Sequence, residues 1–66
     1  MSKGKIARLM DKGYGFIDVE GQDEDLFFHS NELQDLNFDD LKEGEEVEFE
    51  IGEGQKGPNA VNVRRV

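Results

Sequence analysis

Several residue types that stabilise small domains are scarce or missing in this sequence. It contains no cysteine and one histidine among 66 residues, which excludes a disulfide framework, a cysteine zinc site and a histidine metal cluster. No apolar run approaches the roughly 20 residues that span a bilayer, and no apolar signal segment follows the first residues. We therefore predict a single domain over residues 1–66, cytoplasmic and without a metal site, that depends on one apolar core.

Basic residues are also few, and their distribution is uneven. The net charge is −8, with 8 lysines and arginines against 16 acids, which taken alone argues against a polyanionic partner. Residues 1–17 sum to +3, residues 18–53 to −14 and residues 54–66 to +3. The acidic block is interpreted first as a solvated, solubilising surface, and adaptation to high salt is a second possibility. The two basic segments could supply a local positive path across an acidic body.

Five short segments show the two-residue alternation that is typical of strands. Short turns containing glycine separate the first three segments, and residues 31–33 and 37–44 are predicted to form single helical turns. Pro58 has no N–H, so the last strand is predicted to begin after it. Closing five short strands into a barrel removes exposed edges, so we predict an all-β, five-stranded antiparallel barrel. The predicted strands are residues 5–10, 14–20, 25–30, 46–51 and 60–66.

The same alternation predicts which side chains fill the barrel. The predicted core consists of Ile6, Ile17, Val19, Leu26, Phe28, Leu33, Leu41, Val47, Phe49, Ile51, Val61 and Val63.

Some aromatic side chains do not fit inside this core. Phe27 and Phe28 are adjacent in a strand, so they face opposite sides, and Phe28 shares the inward side. Phe27 and His29 are then outside, as are Tyr14 and Phe16 on the preceding strand. If the two strands form a hairpin, four rings lie side by side on the surface. Exposed apolar patches of this kind usually mark a binding site.

Rings in a row are platforms on which unpaired bases stack without regard to sequence. Gly13 and Gly15 flank Tyr14 and are predicted to leave its ring faces clear, and Lys12 places a cation beside it for phosphate contact. The competing interpretation is that the patch packs against Phe38 and the long loop as a second small core.

Enzyme chemistry has little support in the sequence. Fifteen acids in one block make carboxylate pairs inevitable by chance, and residues 23–25 lack the ligand spacing of a calcium loop. No nucleophile and base can be paired, and His29 has no evident partner. We predict a protein that is not an enzyme and needs no cofactor.

Two motifs resemble those of the cold-shock domain family. Residues 12–17 read K-G-Y-G-F-I and residues 25–29 read D-L-F-F-H, similar to the family's ribonucleoprotein motifs K-G-F-G-F-I and D-V-F-V-H. Further matches at both ends extend the resemblance over essentially the whole chain. It implies an OB-type barrel that binds single-stranded RNA and DNA and acts as an RNA chaperone that affects transcription or translation. A closed barrel gives no reason to expect a dimer, so we predict a monomer, and we predict no small-molecule substrate.

The resemblance also implies roles for individual residues. Lys12 and Lys56 would contact phosphates, and Asp25 would hydrogen-bond a base. The bases would stack on Tyr14, Phe16, Phe27, His29 and Phe38.

The chain departs from the family pattern mainly in its first strand. Where the family usually has G-K-V-K-W-F-N, this chain has Ala7 for the second lysine, Arg8 for the outward tryptophan and Leu9 for the phenylalanine. Ser30 replaces a further phenylalanine. Each lost platform removes roughly 1–3 kcal/mol, and the Arg8 guanidinium compensates partly by stacking and pairing with phosphate. We predict weak binding with steep salt dependence.

The alternative is an OB-type protein-interaction domain whose acidic face meets a basic partner.

Overall fold

The five strands of the molecule close into a barrel in which the first lies between the second and the fourth, and the fifth lies between the third and the fourth. The computed structural model describes residues 2–34, 36–54 and 57–66. The first strand pairs antiparallel with the second and the fourth, the second with the third, and the fourth with the fifth. The barrel closes where the third strand runs parallel to the fifth. This architecture confirms the predicted all-β five-stranded barrel. The strands are β1 (Ser2–Met10), β2 (Tyr14–Val19), β3 (Leu26–His29), β4 (Glu46–Gly54) and β5 (Gly57–Arg65).

The strand ends differ from the predictions most clearly at the hairpin between β4 and β5. β4 continues to Gly54 and β5 begins at Gly57, so Pro58 lies within the last strand rather than before it. Pro58 stands opposite Glu53, one pair from the end of the hairpin. A strand tolerates proline near its first residue, because little of the hydrogen-bonded ladder is lost there.

The core fills the barrel with side chains from all five strands and the β3–β4 loop. Nine predicted core residues are buried, but Ile51 is 50% exposed, and Leu33 and Val61 are only half-buried. Ala60 is buried where the alternation had placed Val61. The buried set is Ile6, Ile17, Val19, Leu26, Phe28, Leu41, Val47, Phe49, Ala60 and Val63.

A β-bulge explains the error in β5. Between two of its pairs with β4, the fifth strand has one residue more than its partner. Asn62 takes a positive φ of 51° within this bulge, a conformation that asparagine tolerates better than most residues. Ala60 and Val63, three residues apart, therefore both face inward.

Ile51 is exposed for a different reason. The pairing of β4 with β1 ends at Phe49, which stands opposite Ser2. Ile51 lies beyond that pair, at the end of the hairpin that extends past the closed part of the barrel. Leu33 makes an isolated parallel bridge to Val63 and packs against the margin of the core.

The β3–β4 connection contains two 3₁₀ helices close to the predicted turns. The first spans Ser30–Glu32, one residue earlier than predicted, and is capped by the His29 side chain. The second spans Phe38–Asp40 and ends at Leu41, well before the predicted stop at Gly44. Leu41 is buried in the core with an extended backbone, which ends the helical turn early.

Within the described ranges, neither helical segment is long and apolar enough to cross a membrane.

Candidate nucleic-acid interface

Three aromatic rings on β2 and β3 touch one another on the outside of the barrel. The ring centroids of Tyr14 and Phe27 are 5.5 Å apart, those of Phe16 and Phe27 are 6.0 Å apart, and those of Tyr14 and Phe16 are 6.1 Å apart. All three side chains are half-buried. We call these three residues the ring cluster. Its geometry confirms that the outward aromatics of the two strands lie side by side.

Strand register places two members of the ring cluster, Phe16 and Phe27, in a row that crosses four strands. Arg8 on β1 is the partner of Phe16, Phe16 is the partner of Phe27, and Phe27 is the partner of Asn59 on β5. We call these four residues the transverse row. Arg8 joins it because a bulge at Ala7 breaks the alternation of β1 after the inward Ile6.

A groove of about 610 Å³ runs between the ring cluster and the end of the β4–β5 hairpin. Its remaining walls are Gly54, Gly57, Pro58 and Asn59. Among the described side chains, the Oδ1 atom of Asn59 is buried without a hydrogen-bond partner. Sequence reasoning missed Pro58 and Asn59, because their contribution depends on the pairing of β5 with β3, two strands that are not consecutive.

His29 extends the site on β3 and is held in one tautomer. Its Nδ1 atom accepts a hydrogen bond from the backbone N–H of Asn31 at 3.1 Å. A neutral imidazole that accepts through Nδ1 carries its proton on Nε2. His29 stands opposite Tyr14 and is exposed, so it presents an N–H donor beside the ring cluster.

Phe38 lies apart from the ring cluster. It begins the second 3₁₀ helix and packs against the core, with its ring centroid 6.3 Å from that of Phe28. The ring cluster therefore does not form a second small core with Phe38, as the competing interpretation required.

Three charged site candidates are exposed around the rings. Lys12 lies in the β1–β2 turn, Asp25 directly precedes β3 and Arg8 lies in the transverse row. Within residues 2–34, 36–54 and 57–66, none of the three forms an ion pair. Their charges are therefore available to a ligand. Lys56, the remaining candidate, lies outside the described residues.

Lys3 and Lys5, two of the four bases in the first basic segment, lie among carboxylates of the neighbouring strands. Lys5 stands between Asp18 on β2 and Glu46 on β4, and Lys3 stands opposite Glu48. Cross-strand neighbours of opposite charge attract one another on a sheet surface. These two lysines therefore belong to a mixed-charge face rather than to the ring face.

The two arginines near the end of the chain also have carboxylate partners. Arg64 lies 3.6 Å from Glu48, and Arg65 pairs with Glu45 and donates to the backbone oxygen of Asp40. Their charges are largely compensated within the fold.

Gly15 has a structural role that differs from the prediction. It faces inward, and a Cβ atom there would lie 2.5 Å from the backbone oxygen of Arg8 and 2.9 Å from the Phe28 ring. The absent side chain thus permits close packing of β1 on β2, rather than keeping the ring faces of Tyr14 clear. Gly13 takes a φ of 91° in the β1–β2 turn.

Comparison with known proteins gives consistent matches over the whole chain. The family model described as "'Cold-shock' DNA-binding domain" matches residues 2–66. The cold shock protein CspB of Geobacillus stearothermophilus is 48% identical over 64 residues, which is 96% of each chain. The cold shock-like protein CspD of Bacillus cereus is 51% identical over 66 residues, which is 98% of each chain.

A solved structure of Drosophila Unr, titled CSD456, has a similar fold. It superimposes with a TM-score of 0.81 and 26% sequence identity over 98% of this chain. The match covers 26% of that longer chain, so the likeness concerns one part of it.

Proposed function

Because the chain belongs to the cold-shock DNA-binding domain family, we propose that it binds single-stranded RNA and DNA by stacking unpaired bases on the ring cluster. The contact of Tyr14, Phe16 and Phe27 beside an open groove carries this proposal. Each stacked base contributes roughly 1–3 kcal/mol and is accepted whatever its identity. His29 adds a hydrogen-bond donor, and Asp25 adds an acceptor for base edges.

Charge makes a small contribution to this binding. Of the described cations, Arg8 stands opposite Phe16 and Lys12 lies two residues before Tyr14 in the β1–β2 turn. With Lys56 as a third cation, the slope of log K against log salt is no steeper than about −2 for a single strand. This is shallower than the steep dependence expected from the sequence, because Lys3 and Lys5 face carboxylates on another side of the barrel.

The proposed cellular role is that of an RNA chaperone and regulator of transcription or translation. A monomer that holds unpaired bases shifts weak RNA structure toward the open form by mass action. This role needs neither catalysis nor a cofactor, and we place it in the cytoplasm.

The test is a titration of labelled protein with oligo-dT and oligo-U, followed by amide NMR shifts at two salt concentrations. Shifts are expected over residues 12–16 and 25–29 at low salt, and their absence there would refute the proposal. Replacing both Phe16 and Phe27 by alanine should abolish binding and leave the barrel folded. The matched control is Ile51→Ala, since Ile51 is an exposed apolar residue that does not line the groove, and it should bind as the parent does.

A protein-interaction domain is the second candidate, favoured by the exposed carboxylates of β4, among them Glu46 and Glu50. A basic peptide titrated in the same way would then shift residues 46–50 while oligonucleotides shift nothing.

A further inference from the structure

Arg8 gives the ring face a group that can distinguish one base from the others. We propose that Arg8 reads guanine, so that the site prefers single strands containing a guanine over strands of thymine or uracil alone. The inference rests on the proposed stacking function and adds base selectivity to it.

The position of Arg8 in the transverse row is the first support. Its strand neighbour is Phe16, and adjacent strands lie about 4.8 Å apart. An arginine side chain is longer than a phenylalanine side chain, so its head reaches beyond the ring toward the level of a base stacked on Phe16. The guanidinium then meets the edge of that base rather than its face.

The Arg8 guanidinium is also free to bind. Arg8 is exposed and, among the described residues, has no ion pair or hydrogen-bond partner for its side chain. The pairing of β4 with β1 stops at Lys5, so among the described strands only β2 pairs with β1 at Arg8. Asp11 lies three residues along the chain and Asp18 two residues beyond Phe16 on β2, and neither forms an ion pair with Arg8. The Glu43 carboxylate accepts from the Leu9 N–H at 3.4 Å.

The hydrogen-bonding chemistry selects guanine. A guanidinium offers only donors, held in a planar fork. Guanine presents two adjacent acceptors, O6 and N7, on one edge, whereas adenine pairs an acceptor with a donor amine there and thymine offers the single O4. A base held flat on Phe16 keeps this edge in reach of the fork, so both donors can be satisfied at once.

Fluorescently labelled seven-nucleotide DNAs that differ at the central base test the inference. Each strand is thymine throughout except at its centre, which is thymine, guanine, adenine or 7-deazaguanine. A strand contains at most one guanine, because guanine-rich strands associate into four-stranded structures. The guanine strand is expected to bind about 10-fold more tightly than the all-thymine strand, within the range for a two-hydrogen-bond contact. The 7-deazaguanine strand, which lacks the N7 acceptor, should lose most of this advantage.

Protein variants assign the preference to Arg8. Arg8→Met keeps most of the side-chain length and removes every donor, so it should bind the guanine and thymine strands with nearly equal affinity. Lys3→Gln is the matched control, because it removes a cation from the same strand on the mixed-charge face and should keep the guanine preference. Circular dichroism confirms that each variant is folded.

The outcomes separate the two proposals. Equal binding of the guanine and thymine strands, or a guanine preference that survives in Arg8→Met, overturns the inference and leaves the stacking function intact. A uniform loss of affinity for every strand in Arg8→Met, with the guanine preference kept, overturns it too and assigns Arg8 to phosphate. The absence of binding to any strand at low salt removes the stacking function itself.

Discussion

Phe27 and Phe28 are neighbours in β3 but face opposite sides of the sheet, so replacing each by leucine separates binding from folding. Phe28 is fully buried in the core, whereas Phe27 is half-exposed in the ring cluster. The two substitutions are chemically identical and one residue apart. Phe27→Leu should weaken oligonucleotide binding and leave stability nearly unchanged, while Phe28→Leu should do the reverse.

The magnitudes follow from what each ring contacts. Replacing a buried phenylalanine by alanine lowers the free energy of unfolding by about 3–5 kcal/mol, so the smaller change Phe28→Leu should lower it by about 1–2 kcal/mol. For a chain of this size each kcal/mol lowers Tm by about 4–8 °C. Phe27 has ring contacts with Tyr14 and Phe16, and such contacts contribute about 0.5–1.5 kcal/mol when fully formed. On a half-exposed surface, Phe27→Leu should therefore cost less than about 1 kcal/mol of stability.

For oligonucleotide binding, Phe27→Leu should have the larger effect and Phe28→Leu the smaller one. Loss of one stacking platform in Phe27→Leu removes about 1–2 kcal/mol, or about 5- to 30-fold in Kd. Thermal unfolding by circular dichroism gives the Tm, and anisotropy of a labelled oligonucleotide, measured well below that Tm, gives Kd. The reasoning is refuted if Phe27→Leu lowers Tm as much as Phe28→Leu does while its Kd stays at the parent value.

Three further predictions concern the backbone and the histidine. Asn62→Gly should be about 1 kcal/mol more stable to urea unfolding than Asn62→Ala. Both variants lose the side-chain hydrogen bonds of Asn62, but only alanine is strained at a φ of 51°; equal urea midpoints for the two variants would contradict this. Gly15→Ala should lower stability by about 1–3 kcal/mol in the same assay, since its Cβ meets the Arg8 backbone oxygen at 2.5 Å, and an unchanged midpoint would disprove the close packing. Long-range ¹H–¹⁵N spectra at neutral pH should show the His29 proton on Nε2, and a proton on Nδ1 would exclude the hydrogen bond from Asn31.

Much of the barrel was predictable because local alternation survives in β2 and β3. The inward Phe28 and the outward Tyr14, Phe16 and Phe27 were all placed correctly by parity. These strands are joined by a short turn, so their register follows from the sequence between them.

The sequence-based predictions failed where a β-bulge adds one residue to a strand, and where strands that are distant in the sequence pair with each other. Nothing in the alternation of β5 reveals the bulge at Asn62, which shifts burial from Val61 to Ala60. Alternation alone would also have placed Arg8 on the inward side with Ile6, and its outward position was indicated by the family resemblance instead. The carboxylate neighbours of Lys3 were not predictable, because they depend on the register between the first and fourth strands.

The junction between β3 and β5 has a consequence for how a ligand affects the fold. One residue pair, Phe27 with Asn59, joins these strands in the described structure, whereas β4 and β5 are joined along most of their length. The groove is lined from both sides of this junction. A nucleic-acid strand bound across this junction would hold β3 and β5 together where the barrel has the fewest pairs. The ligand should therefore slow hydrogen exchange most at the backbone amides of the junction.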